Sequence, residues 1–140
     1  MREAGRLVGE VLTALAAAVA PGVTTADLDA LAEQRIVKAG AVPAFKGYHG
    51  YPATICASVN EQVVHGIPND RPMVEGDIIS IDMGAKLDGF YGDSAVTVPV
   101  GKVTPEAARL LQVTMLDHII VGVPAPGRLP YFSFREAGIV

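Results

Sequence analysis

The sequence predicts an α+β domain in which amphipathic helices pack on one antiparallel sheet. Three observations carry that reading. Apolar residues recur three and four apart through the N-terminal region, two later runs alternate with period two, and an Asp-Gly pair stands between those runs. The chain has 140 residues, half of them hydrophobic and 19% charged, which suits one domain with a real core and argues against disorder.

Taken in order, Ala4, Leu7, Val8, Val11, Leu12, Leu15, Ala18 and Val19 form one stripe on a helix expected from about residue 2 to 20. Pro21-Gly22 ends it, and Thr24-Thr25-Ala26-Asp27 reads as a capping box with Asp in place of the usual Glu. The next helix turns Leu28, Leu31, Ala32 and Ile36 inward and stops at Gly40. Residues 41 to 52 form a loop holding Phe45, Tyr48 and Tyr51 among glycines and prolines, which suits either a pocket wall or a loop pinned to the core by its rings. Thr54 to Val59 alternates as a strand, Asn60-Glu61-Gln62 turns the chain, and Val63 to Pro68 reads as a short strand ending near His65. Thr104-Pro105-Glu106 opens a further helix, expected to run to about Gly122, before Pro124-Ala125-Pro126-Gly127 breaks regular structure.

The chemistry centres on Asp82 and Asp93. Ile79, Ile81 and Met83 alternate with Ser80 and Asp82, and Tyr91, Asp93, Ala95 and Thr97 share one side of the following run. A turn centred between Leu87 and Asp88 sets the aspartates opposite each other; one centred between Asp88 and Gly89 makes them diagonal neighbours. Either register puts both on one face, at roughly 4.5 to 8 Å between β-carbons. Two such carboxylates are either solvated on a wet face or share a metal ion as hard oxygen ligands, and spacing alone does not choose. A lone histidine such as His65 is more often structural than catalytic when read without its neighbours.

Bulk properties exclude several classes. The net charge of −4 and a pI near 5.2 do not suit a nucleic-acid surface. Cys56 is the only cysteine, so no disulfide framework exists and a reducing compartment fits. No apolar run is long enough to span a bilayer, and acidic Glu3 and Glu10 beside a helical period argue against a signal peptide, so a cytoplasmic protein is expected. There is no Gly-x-Gly-x-x-Gly after a strand, no phosphate loop and no serine elbow.

Several motifs in order resemble the type I methionine aminopeptidases. They are Met1-Arg2-Glu3-Ala4-Gly5-Arg6, Gly47-Tyr48-His49-Gly50-Tyr51-Pro52, Ile55-Cys56-Ala57-Ser58-Val59-Asn60-Glu61, Val64-His65-Gly66-Ile67-Pro68 and Asp88-Gly89-Phe90-Tyr91-Gly92-Asp93-Ser94. The likeness covers about residues 1 to 114 and fades from Met115, so residues 115 to 140 read as a divergent or frame-shifted tail. The start also reads as clipped. The resemblance implies a pita-bread fold, of which this chain would be the N-terminal half, and removal of the initiator methionine from nascent polypeptides. It implies two divalent ions, with cobalt, manganese, iron, zinc and nickel all open, held in part by Asp82 and Asp93.

The resemblance also implies that His65 is the substrate-side catalytic histidine. Tyr48, Tyr51 and Cys56 would line the methionine pocket, with Phe45 where other members carry a cysteine, and Asn60 would lie at a monovalent-cation site. Nascent polypeptide N-termini are the implied partner and the ribosome a candidate neighbour; nucleic acid and membrane are not expected. The family completes its site with a further histidine and two glutamates. These are not found here: His118 is the only histidine after Asp93 and Glu136 the only glutamate after Glu106, and neither has the family's flanking residues. Two readings follow: the family's aminopeptidase activity, or an inert fragment or binding module on the same scaffold.

Overall fold

The computed structural model describes residues 1–111, 119–121 and 131–133. Helix α1 (Arg2–Ala18) buries Ala4, Leu7, Val8, Val11, Leu12 and Leu15, the stripe that its spacing predicts. On its wet side Arg6 reaches both Glu3, at 2.9 Å, and Glu10, at 3.2 Å. The chain turns extended at Val19, a little earlier than the sequence suggests. Helix α2 (Thr25–Lys38) opens on the capping box: the Asp27 amide donates to Thr24 Oγ1 at 3.0 Å, and Asp27 accepts from the Thr24 amide at 2.9 Å. The Thr24 hydroxyl, which donates to the Asp27 carboxylate at 2.6 Å, and then the Thr24 amide hold that carboxyl below its ordinary pKa. At the other end Gly40 takes φ +73°, and the amides of Gly40 and Ala41 return to the carbonyls of Val37 and Ile36, closing a Schellman motif.

Strand β1 (Val42–Pro43), β2 (Ile55–Val59), β3 (Ile78–Leu87) and β4 (Phe90–Pro99) make one antiparallel sheet. Strand β3 is its spine: β4 follows it along its full length, while β2 and the two-residue β1 share its other side. Asp88 at φ +50° and Gly89 at φ +81° form the two-residue hairpin turn, the type I′ geometry that matches strand twist. Ile55, Ala57, Ile79, Ile81, Met83 and Ala85 face the helices and form the core with Leu15, Leu28 and Ile36. Helix α1 packs chiefly on β4 and β3, and it crosses β4 closely at Gly92.

Helix α2 is joined to the sheet by a carboxylate. Asp29 Oδ1 accepts from the amides of Thr54, at 2.8 Å, and Ile55, at 2.9 Å, where β2 begins. Asp29→Ala leaves two half-buried amides without an acceptor and is expected to cost about 2 kcal/mol in urea unfolding. Asp29→Asn keeps a carbonyl acceptor and should lose roughly half of that.

Three expectations need correction. Residues 63 to 68 form no strand: His65 has φ +58°, which breaks extended backbone, and the segment is hydrogen-bonded to β2 at Gly66. The helix opened at Thr104 is α3 (Pro105–Leu111), with the Ala107 amide on Thr104 Oγ1 at 3.2 Å. It does not reach Gly122, because β5 (Ile119–Val121) pairs antiparallel with β6 (Tyr131–Ser133). Inside the 41 to 52 loop lie β1 and a 3₁₀ turn (Tyr48–Gly50). His118, Pro124-Ala125-Pro126-Gly127 and Glu136 lie outside the described residues. No described helix is long and apolar enough to cross a membrane.

Candidate functional site

The hairpin register settles where the aspartates stand. Asp82 pairs with Ala95 and Asp93 pairs with Gly84, so they are diagonal neighbours on one face, the second of the two registers the turn allows. Diagonal β-carbons on a shared face are roughly 7 Å apart. That face is turned away from α1 and α2 and also carries Ser80, Thr97, Lys86 and Tyr91. Asp82 is half-buried and Asp93 exposed.

Neighbouring strands add walls to this face. Cys56 lies directly across from Asp82 on β2 and is only 5% exposed. Burial pushes its thiol pKa up; Asp82 and Asp93 add to that, and a hydrogen bond with Tyr51 offsets part of it. A buried thiol held protonated reacts slowly. Cys56 in the folded chain is therefore expected to take iodoacetamide at pH 8 at least about tenfold more slowly than in urea. Equal rates would place the sulfur in open solvent. Phe45 lies over Gly84: a β-carbon there would be 2.9 Å from Phe45 Cε1, so the ring rests beside the position paired with Asp93.

His65 is exposed and stands next to Gly66, which is tied to β2. The Ala57 amide donates to the Gly66 carbonyl at 2.8 Å, and the Gly66 amide donates to Ser58 Oγ at 3.1 Å. Tyr51 turns its hydroxyl to the carbonyls of Ile55 and Gly66, at 3.0 and 3.1 Å, and burial pushes the phenol pKa well above its ordinary value. Tyr48 is 69% exposed, with its ring edge-on to His49 at 4.4 Å, so the described residues do not enclose it in a pocket. Asn60, at φ +54°, donates to Asp77 at 2.8 Å and accepts from the Ile78 amide. It lines a separate polar cleft with Glu61, Gln62, Asn69 and Arg71.

The structure thus gathers Asp82, Asp93, Cys56 and Phe45 on one face and ties Gly66, the neighbour of His65, to β2 and to Tyr51. Sequence reading missed Ser58, Gly66 and Gly84 as supports. A glycine inside an alternating strand, as at Gly84, was the available signal of a close approach. For a divalent ion the donors fit in kind, because two carboxylates from adjacent strands are hard oxygen ligands. They do not fit in number: among the described residues no group of three His, Cys, Asp or Glu side chains could hold a metal.

Comparison with known proteins finds relatives over most of the chain. The model of metallopeptidase family M24 matches residues 1–120. A methionine aminopeptidase of Clostridium acetobutylicum is 57% identical over 115 residues, covering 81% of this chain and 46% of that protein. Methionine aminopeptidase 1 of Bacillus subtilis is 54% identical over 114 residues, again 81% of this chain and 46% of that protein. The crystal structure of methionine aminopeptidase from Rickettsia prowazekii superposes with a TM-score of 0.79 at 45% identity, covering 81% of this chain and 46% of that one. The chain therefore spans about half the length of these relatives, and over that span its fold is the pita-bread fold. Matched by that family model over most of its length, the chain belongs to metallopeptidase family M24.

Proposed function

We propose that this chain carries the first part of a methionine aminopeptidase active site, with residues 1–114 as the N-terminal half of the domain and 115–140 as a divergent tail. The observation that carries the reading is the diagonal placement of Asp82 and Asp93 on one sheet face, flanked by Cys56 and Phe45. Asp82 and Asp93 would hold divalent metal, two ions in the complete domain, drawn from cobalt, manganese, iron, zinc or nickel. When bound, such ions supply a water of lowered pKa and polarise a carbonyl. His65 would hydrogen-bond the substrate amide, and Phe45, Tyr51 and Cys56 would shape an apolar wall for the methionine side chain. The substrates would be nascent polypeptide N-termini in the cytoplasm, close to the ribosome.

A chimera tests this reading. Residues 1–114 joined to the unmatched remainder of the Clostridium acetobutylicum relative should release methionine from Met-Ala-Ser. Asp93→Ala in that chimera should lower the rate about a thousandfold, the equivalent of several kcal/mol of metal-derived stabilisation. An active chimera indifferent to Asp93→Ala would remove the aspartates from the mechanism.

A second reading is favoured by the donor count given above. Taken alone, the chain would be catalytically inert, a scaffold with an incomplete ligand set.

A further inference from the structure

His65 is held in the left-handed region, at φ +58°, which a non-glycine residue keeps only where its surroundings over-determine it. The restraint acts at the next residue. Gly66 exchanges hydrogen bonds with the Ala57 amide and Ser58 Oγ, and it lies so close to β2 that a β-carbon on it would collide with the Ala57 carbonyl. The remaining tie is the Tyr51 hydroxyl, 3.1 Å from the Gly66 carbonyl and 3.0 Å from the Ile55 carbonyl. The hydroxyl stands within hydrogen-bonding distance of two carbonyls, one on the His65 segment and one on the strand that carries Cys56, and also meets the Cys56 thiol.

Tyr51 also ends the turn that lays Phe45 on Gly84. The Gly47 amide donates to the Tyr51 carbonyl at 2.8 Å, the Tyr48 amide to Phe45 at 2.9 Å, and the Tyr51 amide to Tyr48 at 2.9 Å. One residue therefore connects both flanks of the aspartate face: the aromatic flank through its backbone and the histidine flank through its hydroxyl.

We infer that Tyr51 is a positioning residue, whose hydroxyl clamps the His65–Gly66 segment to β2 and so fixes where the His65 imidazole stands relative to Cys56 and Asp82. This is separate from any contact its ring makes with a methionine side chain. The inference rests on the proposed function for what the imidazole does, and on geometry alone for how it is held.

Tyr51→Phe deletes the hydroxyl and keeps the ring. Isotope-labelled chain 1–140, wild type and variant, is compared by amide hydrogen exchange and by the imidazole carbon–proton resonances of His65 and His49. The Ala57 amide, bonded to the Gly66 carbonyl, is expected to exchange about tenfold faster in the variant. The amides of Ile81 and Met83 should stay within about twofold, because the core is untouched. The His65 resonance should move toward its unfolded-chain position while His49 holds still.

An unchanged Ala57 rate with an unchanged His65 signal overturns the inference. So does acceleration of every amide together, which would make Tyr51 merely structural. Should Tyr51→Phe fail to fold, the wild-type chain supplies the test: a Tyr51 hydroxyl proton that exchanges with water as fast as that of exposed Tyr48 refutes the clamp. None of these signals depends on turnover. An inactive chimera would sink the aminopeptidase reading and leave the clamp standing, whereas static His65 signals would sink the clamp even in an active enzyme.

Discussion

Chain 1–140 supplied with cobalt or manganese is expected to release no methionine from Met-Ala-Ser above the metal-only blank. Two carboxylates are the donors that the described residues bring together, and no third His, Cys, Asp or Glu completes a group with them. A divalent ion held by two like-charged ligands is bound weakly and keeps most of its own water shell. The general base and the remaining ligands that such hydrolysis needs would have to come from elsewhere. The rate should fall at least about a thousandfold below that of the chimera, matching the loss of several kcal/mol of metal-derived stabilisation. Measurable turnover by the chain alone, abolished in Asp93→Ala, would show that it makes a working site unaided.

The largest structural effect is expected at Gly92. A β-carbon there would lie 2.7 Å from the Ala4 carbonyl carbon and oxygen and 2.9 Å from the Gly5 nitrogen, all backbone atoms of α1. No rotamer change relieves contacts with backbone, so the helix must lift from β4 and open the core around Leu7, Val8 and Val11. Gly92→Ala is expected to cost about 3 kcal/mol, at the upper end for overpacking, and to lower the Tm by about 10 °C. Gly9 supplies the matched control, since a β-carbon at that exposed position in α1 meets nothing within 4 Å. Gly9→Ala should raise stability by roughly 0.5 to 1 kcal/mol through helix propensity. Scanning calorimetry of the two variants checks both signs, and a Gly92→Ala chain as stable as wild type would mean that α1 does not press on β4.

The parts legible from sequence are those decided by local chemistry. The stripe of α1, the capping box at Thr24 and Asp27, the left-handed stop at Gly40 and the Asp88-Gly89 turn each depend on a few adjacent residues. The shared face of Asp82 and Asp93 was legible for the same reason, because period two and a tight turn fix parity. Which register applied was not: it depended on whether Asp88 would accept positive φ, and it does. The Val63 to Pro68 segment read as a strand because its letters are β-prone, yet the close approach of Gly66 to β2 decides its path. The placement of Phe45 on Gly84 joins residues 39 apart in the chain, beyond any local pattern. The helix from Thr104 was overextended because Ile119 and Ile120 suit a helical stripe as well as the strand they form.

The crossing of α1 over Gly92 also has a consequence for biosynthesis. The helix leaves the ribosome well before β4, the strand that covers its apolar side, which is synthesised more than seventy residues later. At about 5 to 20 residues per second, that stripe waits roughly 4 to 15 seconds for its partner. Until β3 emerges, α2 is the main neighbour at hand to shelter Leu7, Val11 and Leu15, so the emerging chain offers a holdase chaperone a ready target. Contacts so distant in sequence also form slowly, which makes docking of α1, rather than closure of the β3–β4 hairpin, the late event in folding.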